Sequence, residues 1–185
     1  RLRLIDQHVP VTERKARSKR SRYRIRDHFF RFWFRFVYGT GDRYEQFGDD
    51  AYDALLEPEM ADFVSRPFED LCCTAVRTLY PEYTVTDVGQ WWYGEHEVDV
   101  AGLTTEGTLI AGECKFQTSP LGYDALSNLE DHVEELRWNP DGGQRTEEYA
   151  LFSRSGFKMS VKEAADDRDD LRLYTVEDIV DALTG

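Results

Sequence analysis

The spacing of hydrophobic residues along the chain changes several times, and each change predicts a new type of secondary structure. From Glu57 to Leu79, apolar residues recur at steps of three and four, which predicts an amphipathic helix broken or kinked near Pro67. After Pro81 the step becomes two, and glycines separate four predicted strands: Thr84–Val88, Gln90–Tyr93, Glu95–Leu103 and Thr108–Gln117. Helical spacing returns over residues 121–138, and shorter elements follow: strand Tyr149–Ser153, helix Val161–Ala165, strand Leu171–Tyr174 and a closing helix Val176–Leu183 begun by Thr175. This order predicts an α/β fold with a mixed central sheet.

The first 26 residues combine strand spacing with a very basic middle. Tyr23 and Ile25 alternate with arginines, and the span from Thr12 to Arg22 is mostly Arg, Lys and Ser. A hairpin with a basic tip is typical of the wing of a winged-helix domain, whose cations meet nucleic-acid phosphates. The alternative is a flexible, solvated loop. The candidate nucleic-acid contacts in this arm are Arg14, Lys15, Arg17, Lys19, Arg20 and Arg22.

An aromatic segment follows the basic arm. Asp27, Arg31 and Arg35 lie at i, i+4 and i+8, which places them in one polar line on a helix whose other faces are aromatic. Such a pattern predicts a mostly buried helix, and a stacking platform for bases is the alternative. Trp91 and Trp92 also suit either core packing or stacking on bases. Neighbouring strand residues face opposite sides of a sheet, so at most one of the two can face a site.

Charge is distributed unevenly along the 185 residues. The net charge is −13, but residues 1–35 hold ten Arg and two Lys against three acids, so they carry +9 and the remainder carries −22. A basic arm beside an acidic body indicates a nucleic-acid contact at one end. The acidic excess, with only five lysines in the chain, also suits a halophilic source, where salt screens the self-repulsion.

Cysteine content and hydropathy indicate the compartment. Three cysteines, two of them adjacent, exclude a disulfide framework and give no zinc spacing, so we expect a reducing, cytoplasmic setting. No apolar run approaches the ~18–20 residues that a membrane span needs, and there is no signal peptide. Since the chain starts at Arg1 rather than Met, we expect it to be part of a longer protein.

The most informative residues lie on the predicted strand pair 95–103 and 108–117. Glu113, Lys115 and Gln117 should face away from the small and apolar Gly112 and Cys114, and Asp99 on the preceding strand should face Glu113. We expect the two carboxylates roughly 3–6 Å apart, a spacing at which they can share a magnesium or manganese ion. Lys115 would then orient or deprotonate a water, or stabilise charge on a phosphate. The alternative is a surface ion-pair cluster.

These residues resemble the PD-(D/E)xK nuclease superfamily, which has the restriction-endonuclease-like fold. The match consists of Asp99 in Glu-Val-Asp-Val-Ala, the tripeptide Glu113-Cys114-Lys115, and Glu69 in Arg-Pro-Phe-Glu-Asp-Leu. The resemblance implies that Asp99, Glu113 and the backbone carbonyl of Cys114 bind magnesium, and that Glu69 and Lys115 belong to the catalytic set. Val98 replaces the proline that gives the superfamily its name.

A second resemblance covers more of the chain. Phe30-Arg-Phe-Trp-Phe-Arg-Phe-Val, Phe68-Glu69, Gly89-Gln-Trp-Trp-Tyr, Glu97-Val-Asp and Gly112-Glu-Cys-Lys are similar to the C-terminal domain of unknown function of archaeal AAA-type ATPases. In those proteins a P-loop ATPase precedes a winged helix and then this domain, and no GxxxxGK[ST] motif occurs here. The resemblance implies three parts: a winged-helix remnant over 1–26, an aromatic linker over 27–56 and a nuclease-like domain over 57–185. It also implies DNA and the ATPase domain as partners. An inactive, nuclease-derived module that binds DNA or protein is the alternative function.

Overall fold

The computed structural model describes residues 4–140 and 143–185, so the first three residues of the predicted wing lie outside the described part. The basic arm is a two-stranded antiparallel hairpin of β1 (Ile5–His8) and β2 (Arg22–Ile25). The aromatic segment forms α1 (His28–Phe32), which continues as a π-helical turn, Trp33–Val37, and is followed by α2 (Gly41–Phe47). A second π-helical turn, Tyr52–Leu56, leads into the long helix α3 (Glu57–Leu79).

The remaining elements build one mixed five-stranded sheet and three helices. The strands β3 (Val85–Tyr93), β4 (His96–Thr104) and β5 (Thr108–Lys115) form an antiparallel meander. Helix α4 (Tyr123–Glu135) leads to β6 (Thr146–Ser153), and helix α5 (Met159–Asp166) leads to β7 (Leu171–Thr175). The pairs β5–β6 and β6–β7 are parallel, and α6 (Val176–Thr184) closes the chain behind a capping box at Thr175.

Helices cover both faces of this sheet, so the fold is a three-layer α/β arrangement, and the predicted mixed central sheet is confirmed. One core lies between the sheet and α4 with α5, and it contains Leu109, Ala111, Leu126, Leu129 and Val161. The other core lies between the sheet and α3 with α6, and it contains Cys72, Val76, Ile110, Phe152 and Ile179. Because helices cover both faces, β5 is buried over residues 108–114 and β6 is buried over residues 149–153.

Two predicted breaks are absent. Helix α3 runs through Pro67 as one element, and the burial of Phe68, Cys72 and Val76 against the sheet outweighs the lost backbone hydrogen bond. Strand β3 runs through Gly89, which pairs with Ala101. Gly89 lies against the basic arm, since a Cβ at this position would be 3.6 Å from Val11 Cβ.

The prediction that the aromatic segment is mostly buried is wrong. Within the segment only Phe36 is buried, and Phe32 and Phe36 pack their rings 5.9 and 5.3 Å from the ring of Phe63 on α3. The segment contacts α3 through that one stripe, so its other aromatic faces have no covering layer in the described part of the chain. More than half of the surface is exposed for Phe29, Phe34 and Tyr38.

The basic arm packs on β3. Val11 donates its N–H to the carbonyl of Gln90 (2.9 Å), and the indole of Trp92 donates to the carbonyl of Arg20 (3.0 Å). The guanidinium of Arg22 covers the Trp92 ring at 4.3 Å, while Trp91 lies in the core on the opposite face. Both tryptophans are therefore buried, in agreement with the packing alternative, and the arm is fixed on the sheet at its base. Within the described residues, no helix has the length and apolar character needed to cross a bilayer.

Candidate active site

An irregularity in β4 places Asp99. Gly89 pairs with Ala101 and Trp91 pairs with Val98, so the single residue Gln90 stands opposite two residues, Asp99 and Val100. This is a β-bulge, which bends a strand and redirects its side chains. Strict alternation predicted that Val98 and Val100 share a face, and this is wrong. The bulge puts Val98 in the core under α4 and Val100 in the core under α3.

The carboxylate of Asp99 continues the pairing where the β4–β5 ladder ends. The last paired residues are Val100 and Gly112, and beyond them Asp99 Oδ2 accepts the N–H of Cys114 at 2.9 Å. Since the N–H and C=O of one strand residue point to the same edge, the Cys114 carbonyl also faces the Asp99 side. A side-chain carboxylate and a backbone oxygen therefore lie on the same side of β5 at this end.

Glu113 and Lys115 share a face of β5, as alternation predicted. Lys115 Nζ forms an ion pair with Glu113 Oε1. Glu113 is only 9% exposed, because it stands above the core that β5 shares with α4, whereas Lys115 lies at the strand end and is partly open to solvent. The intervening Cys114 points into the opposite core, beside Cys72, as predicted. Burial raises the pKa of the Cys114 thiol, so this sulfur is a neutral packing group.

Glu69 comes to the site from α3, and the side-chain amide of Gln90 holds it. Gln90 donates Nε2 to Glu69 Oε2 (2.5 Å), and its Oε1 accepts from Arg24 Nη2 (2.8 Å). One buried amide thus connects the basic arm to the acidic cluster. Sequence reasoning missed Gln90 and Arg24. The signal for Gln90 was an amide between Gly89 and the two tryptophans of a buried strand, where a polar group needs partners.

The site concentrates negative charge. Burial, and then the negative charges of Glu113 and Glu69, raise the pKa of Asp99 well above its ordinary range. Burial also raises the pKa of Glu69, although Arg24 and the hydrogen bond from Gln90 oppose it. Burial alone would lower the pKa of Lys115, but the adjacent Glu113 outweighs it and raises the pKa of this amine. Lys115 therefore acts on Asp99 while it is already paired with Glu113, and Arg24 and Arg66 act on Glu69.

The donor set suits a hard divalent cation. The carboxylates of Asp99 and Glu113 and the Cys114 carbonyl are oxygen ligands of the kind that Mg²⁺ and Mn²⁺ prefer. No group of three or more His, Cys, Asp and Glu side chains in residues 4–140 and 143–185 is arranged to hold a metal ion. A cation here would therefore depend on the backbone carbonyl as well as on the two side chains.

The other predicted nucleic-acid contacts lie in three different environments. Gln117 lies beyond the end of β5, where its carbonyl accepts from Ser155 Oγ at 2.6 Å. Arg20 donates to the Trp92 carbonyl of β3 (3.0 Å), and Arg22 pairs with Glu97 of β4 (2.5 Å), so the two hold the arm on the β3–β4 pair. The remaining four are exposed at the hairpin tip and form no ion pair with any described residue: Arg14, Lys15, Arg17 and Lys19.

Comparison with known proteins places the candidate site inside a recognised family. A model of a domain family described as archaea bacterial proteins of unknown function (DUF234) matches residues 33–131, just over half of the chain. The chain belongs to this family. The match includes Glu69, Gln90, Asp99 and the Glu113-Cys114-Lys115 tripeptide, and it ends within α4. Neither the curated proteins nor the solved structures give a significant match.

Proposed function

We propose that this domain is a metal-dependent phosphodiesterase of the PD-(D/E)xK type that cleaves DNA. One observation carries the proposal. The carboxylate of Asp99 accepts a hydrogen bond from the N–H of Cys114, which lies between Glu113 and Lys115, at the point where β4 and β5 separate. Acidic groups on β4, β5 and α3 interact electrostatically there, and one lysine lies among them. A partly buried acidic cluster beside a cation is a common feature of catalytic sites.

The excess of negative charge supports a divalent cation as the cofactor. Asp99, Glu113 and the Cys114 carbonyl would hold magnesium or manganese, which would supply Lewis-acid stabilisation of a phosphate oxygen. Bringing carboxylates together without a counter-charge is unfavourable, and the raised pKa of Asp99 reflects that burial and repulsion. Glu69 acts from α3 as a further acidic group, and Gln90 positions it.

Lys115 acts as a cation in this proposal. Because its pKa is raised, the amine is protonated at neutral pH. A protonated amine at the open end of β5 can stabilise negative charge that develops on a phosphate, and it can orient a water. Of the roles predicted from sequence, charge stabilisation therefore fits better than proton abstraction.

The surroundings of the site favour a nucleic-acid substrate. The exposed cations of the hairpin tip lie on the same arm that packs against β3 and reaches Glu69 through Gln90. We propose that the arm is a wing remnant that contacts DNA phosphates, and that the domain is an appendage of an archaeal ATPase in the cytoplasm. The acid-rich composition is consistent with a halophilic source.

A metal titration with two DNA substrates tests the activity. Supercoiled plasmid and a single-stranded circle are incubated with the chain and rising Mg²⁺ or Mn²⁺ at several salt concentrations. We expect nicking or linearisation that requires the metal, and we expect Asp99→Asn to abolish it. Asp131→Asn is the matched control, because Asp131 is an exposed carboxylate on α4 outside the site.

Two outcomes would overturn the nuclease assignment. One is cleavage by Asp99→Asn at the wild-type rate, which would indicate a contaminant or another site. The other is no cleavage by the wild type under any metal, substrate or salt condition. In that case the inactive module that binds DNA or protein becomes the better account.

A further inference from the structure

A cleft of about 300 Å³ lies between the basic arm, the aromatic segment and α3, outside the acidic site. Four arginines from three separate elements line it: Arg24 of β2, Arg31 and Arg35 of the aromatic segment, and Arg66 of α3. The acidic side chain in its lining is Asp62. Such a concentration of positive charge is unusual in a chain whose net charge is −13.

The four guanidiniums are not equally neutralised. Arg35 pairs with Glu59 (3.0 Å) and Asp62 (2.8 Å), so its charge is balanced. Within the described residues, Arg24, Arg31 and Arg66 have no carboxylate oxygen within 4.0 Å of their side-chain nitrogens. Three cations therefore remain without an ion-pair partner around one cleft.

Groups other than carboxylates contact two of these three arginines. Arg24 donates to the amide oxygen of Gln90 at 2.8 Å. Arg31 lies 3.4 Å from His28 Nδ1, with its guanidinium 5.5 Å from the ring centroid of Phe63. A guanidinium that is not paired with a carboxylate keeps donors available for an anion.

The three cations also act on one another. Burial, and then the charge of Arg66, lower the pKa of both Arg24 and Arg31, while Glu69 and Asp70 oppose the shift. Like charges held together are unfavourable unless an anion compensates them. The fold thus maintains a repulsive arrangement that a bound anion would relieve.

We propose that Arg24, Arg31 and Arg66 form a phosphate-binding subsite. It holds a backbone phosphate of the nucleic-acid strand that lies next to the phosphate cleaved at Asp99 and Glu113. Guanidinium forks bind phosphate oxygens in a bidentate manner, which suits a cleft built from arginines and no lysine. Gln90 links the subsite to the acidic site, since it accepts from Arg24 and donates to Glu69. The proposal rests on the proposed function for its choice of a nucleic-acid strand.

Equilibrium binding without divalent metal tests the subsite independently of cleavage. The anisotropy of a fluorescein-labelled 20-nucleotide single strand is titrated with the full chain in EDTA, from low to moderate salt. We expect Arg66→Gln and Arg24→Gln each to weaken binding about tenfold, because each removes a charged hydrogen bond to phosphate. The slope of log K against log salt should become shallower by about 0.7 per lost contact. Arg43→Gln, which removes an exposed arginine from α2 outside the cleft, should change neither quantity.

A second measurement identifies the source of the phosphate. Melting temperatures are compared in inorganic phosphate and in chloride at equal ionic strength, and circular dichroism confirms that each variant is folded. Wild-type affinity and slope in both Arg66→Gln and Arg24→Gln, together with stabilisation by phosphate equal to that of the wild type, would overturn the subsite. A different result would be that the two variants lose the rise in melting temperature that phosphate gives the wild type while their oligonucleotide affinity stays unchanged. That result would overturn the nucleic-acid assignment, because the cleft would then hold free phosphate. Weakened binding in a protein that never cleaves DNA would support the subsite and leave only the catalytic proposal refuted.

Discussion

Gly112 stands directly before the Glu113-Cys114-Lys115 tripeptide, in a position too crowded for a side chain. A Cβ built there would lie 2.8 Å from Phe152 Cε2, 3.1 Å from Val100 Cβ and 3.4 Å from the Ala150 carbonyl oxygen. Carbon atoms pack at about 3.5–4.0 Å, so the closest contact overlaps by roughly 1 Å. Phe152 is fully buried, and its ring stacks 5.3 Å from that of Tyr174, so it has little room to withdraw.

We therefore expect Gly112→Ala to lower the free energy of unfolding by about 1–3 kcal/mol, the usual range for overpacking a core. Urea unfolding measures this change as a lower midpoint at an unchanged m-value. Gly89→Ala is the matched control on β3, because its Cβ would meet Val11 at an ordinary 3.6 Å. The control should be neutral or stabilised, since alanine restricts the unfolded chain more than glycine.

A double variant checks the cause. Phe152→Leu removes the ring edge that the new Cβ would meet, so Gly112→Ala should be less destabilising in that background than in the wild type. Wild-type stability in Gly112→Ala, or equal losses in Gly112→Ala and Gly89→Ala, would refute the crowding argument.

Three further predictions concern charge. The pKa of Asp99 is raised in the folded state. Between the unfolded and the folded pKa of this group, the folded state therefore binds more protons than the unfolded state. The free energy of unfolding falls as the pH rises through this window. Asp99→Asn should therefore have a higher melting temperature than the wild type at pH 7, and the difference in melting temperature should narrow towards pH 4. A constant or reversed difference would contradict the electrostatic explanation. The melting temperature of the wild type should rise between ~0.1 and ~2 M KCl if the acidic surface is an adaptation to salt, and a flat or falling response would argue against it. The four exposed tip cations are Arg14, Lys15, Arg17 and Lys19. Replacing all four by alanine should weaken duplex binding for all sequences and reduce the salt slope by about 3.6, whereas wild-type binding would make the tip a solvated loop.

Strand periodicity predicted the parts of the site that depend on regular geometry. Alternation along β5 placed Glu113 and Lys115 together and Cys114 in the core, because this strand is paired regularly with β6 over its whole length. Alternation failed on β4, where the bulge at Asp99 and Val100 changes the face of every residue beyond it. Periodicity contains no information about a bulge that is created by pairing with β3.

Other features depend on contacts between distant segments. The arginine cleft joins residues 24, 31 and 66, which no local spacing relates, and Gln90 gains its role only because the arm folds back on β3. The exposure of the aromatic segment was also missed, because an aromatic pattern indicates burial without identifying the covering surface. Spacing therefore predicted the mixed α/β sheet and the shared face of Glu113 and Lys115, and the family resemblance supplied Glu69. Tertiary packing determined what surrounds them.

The most direct test of the account is the rate of metal-dependent plasmid nicking by Lys115→Ala beside Lys162→Ala. Lys115 is paired with Glu113 at the end of β5, whereas Lys162 is an exposed lysine on α5, so the two variants remove the same group from different places. We predict that Lys162→Ala cleaves like the wild type and that Lys115→Ala cleaves about 100-fold or more slowly, the scale of a lost charge-stabilising donor. Equal rates for the two variants, at any Mg²⁺ or Mn²⁺ concentration that supports wild-type cleavage, would contradict it.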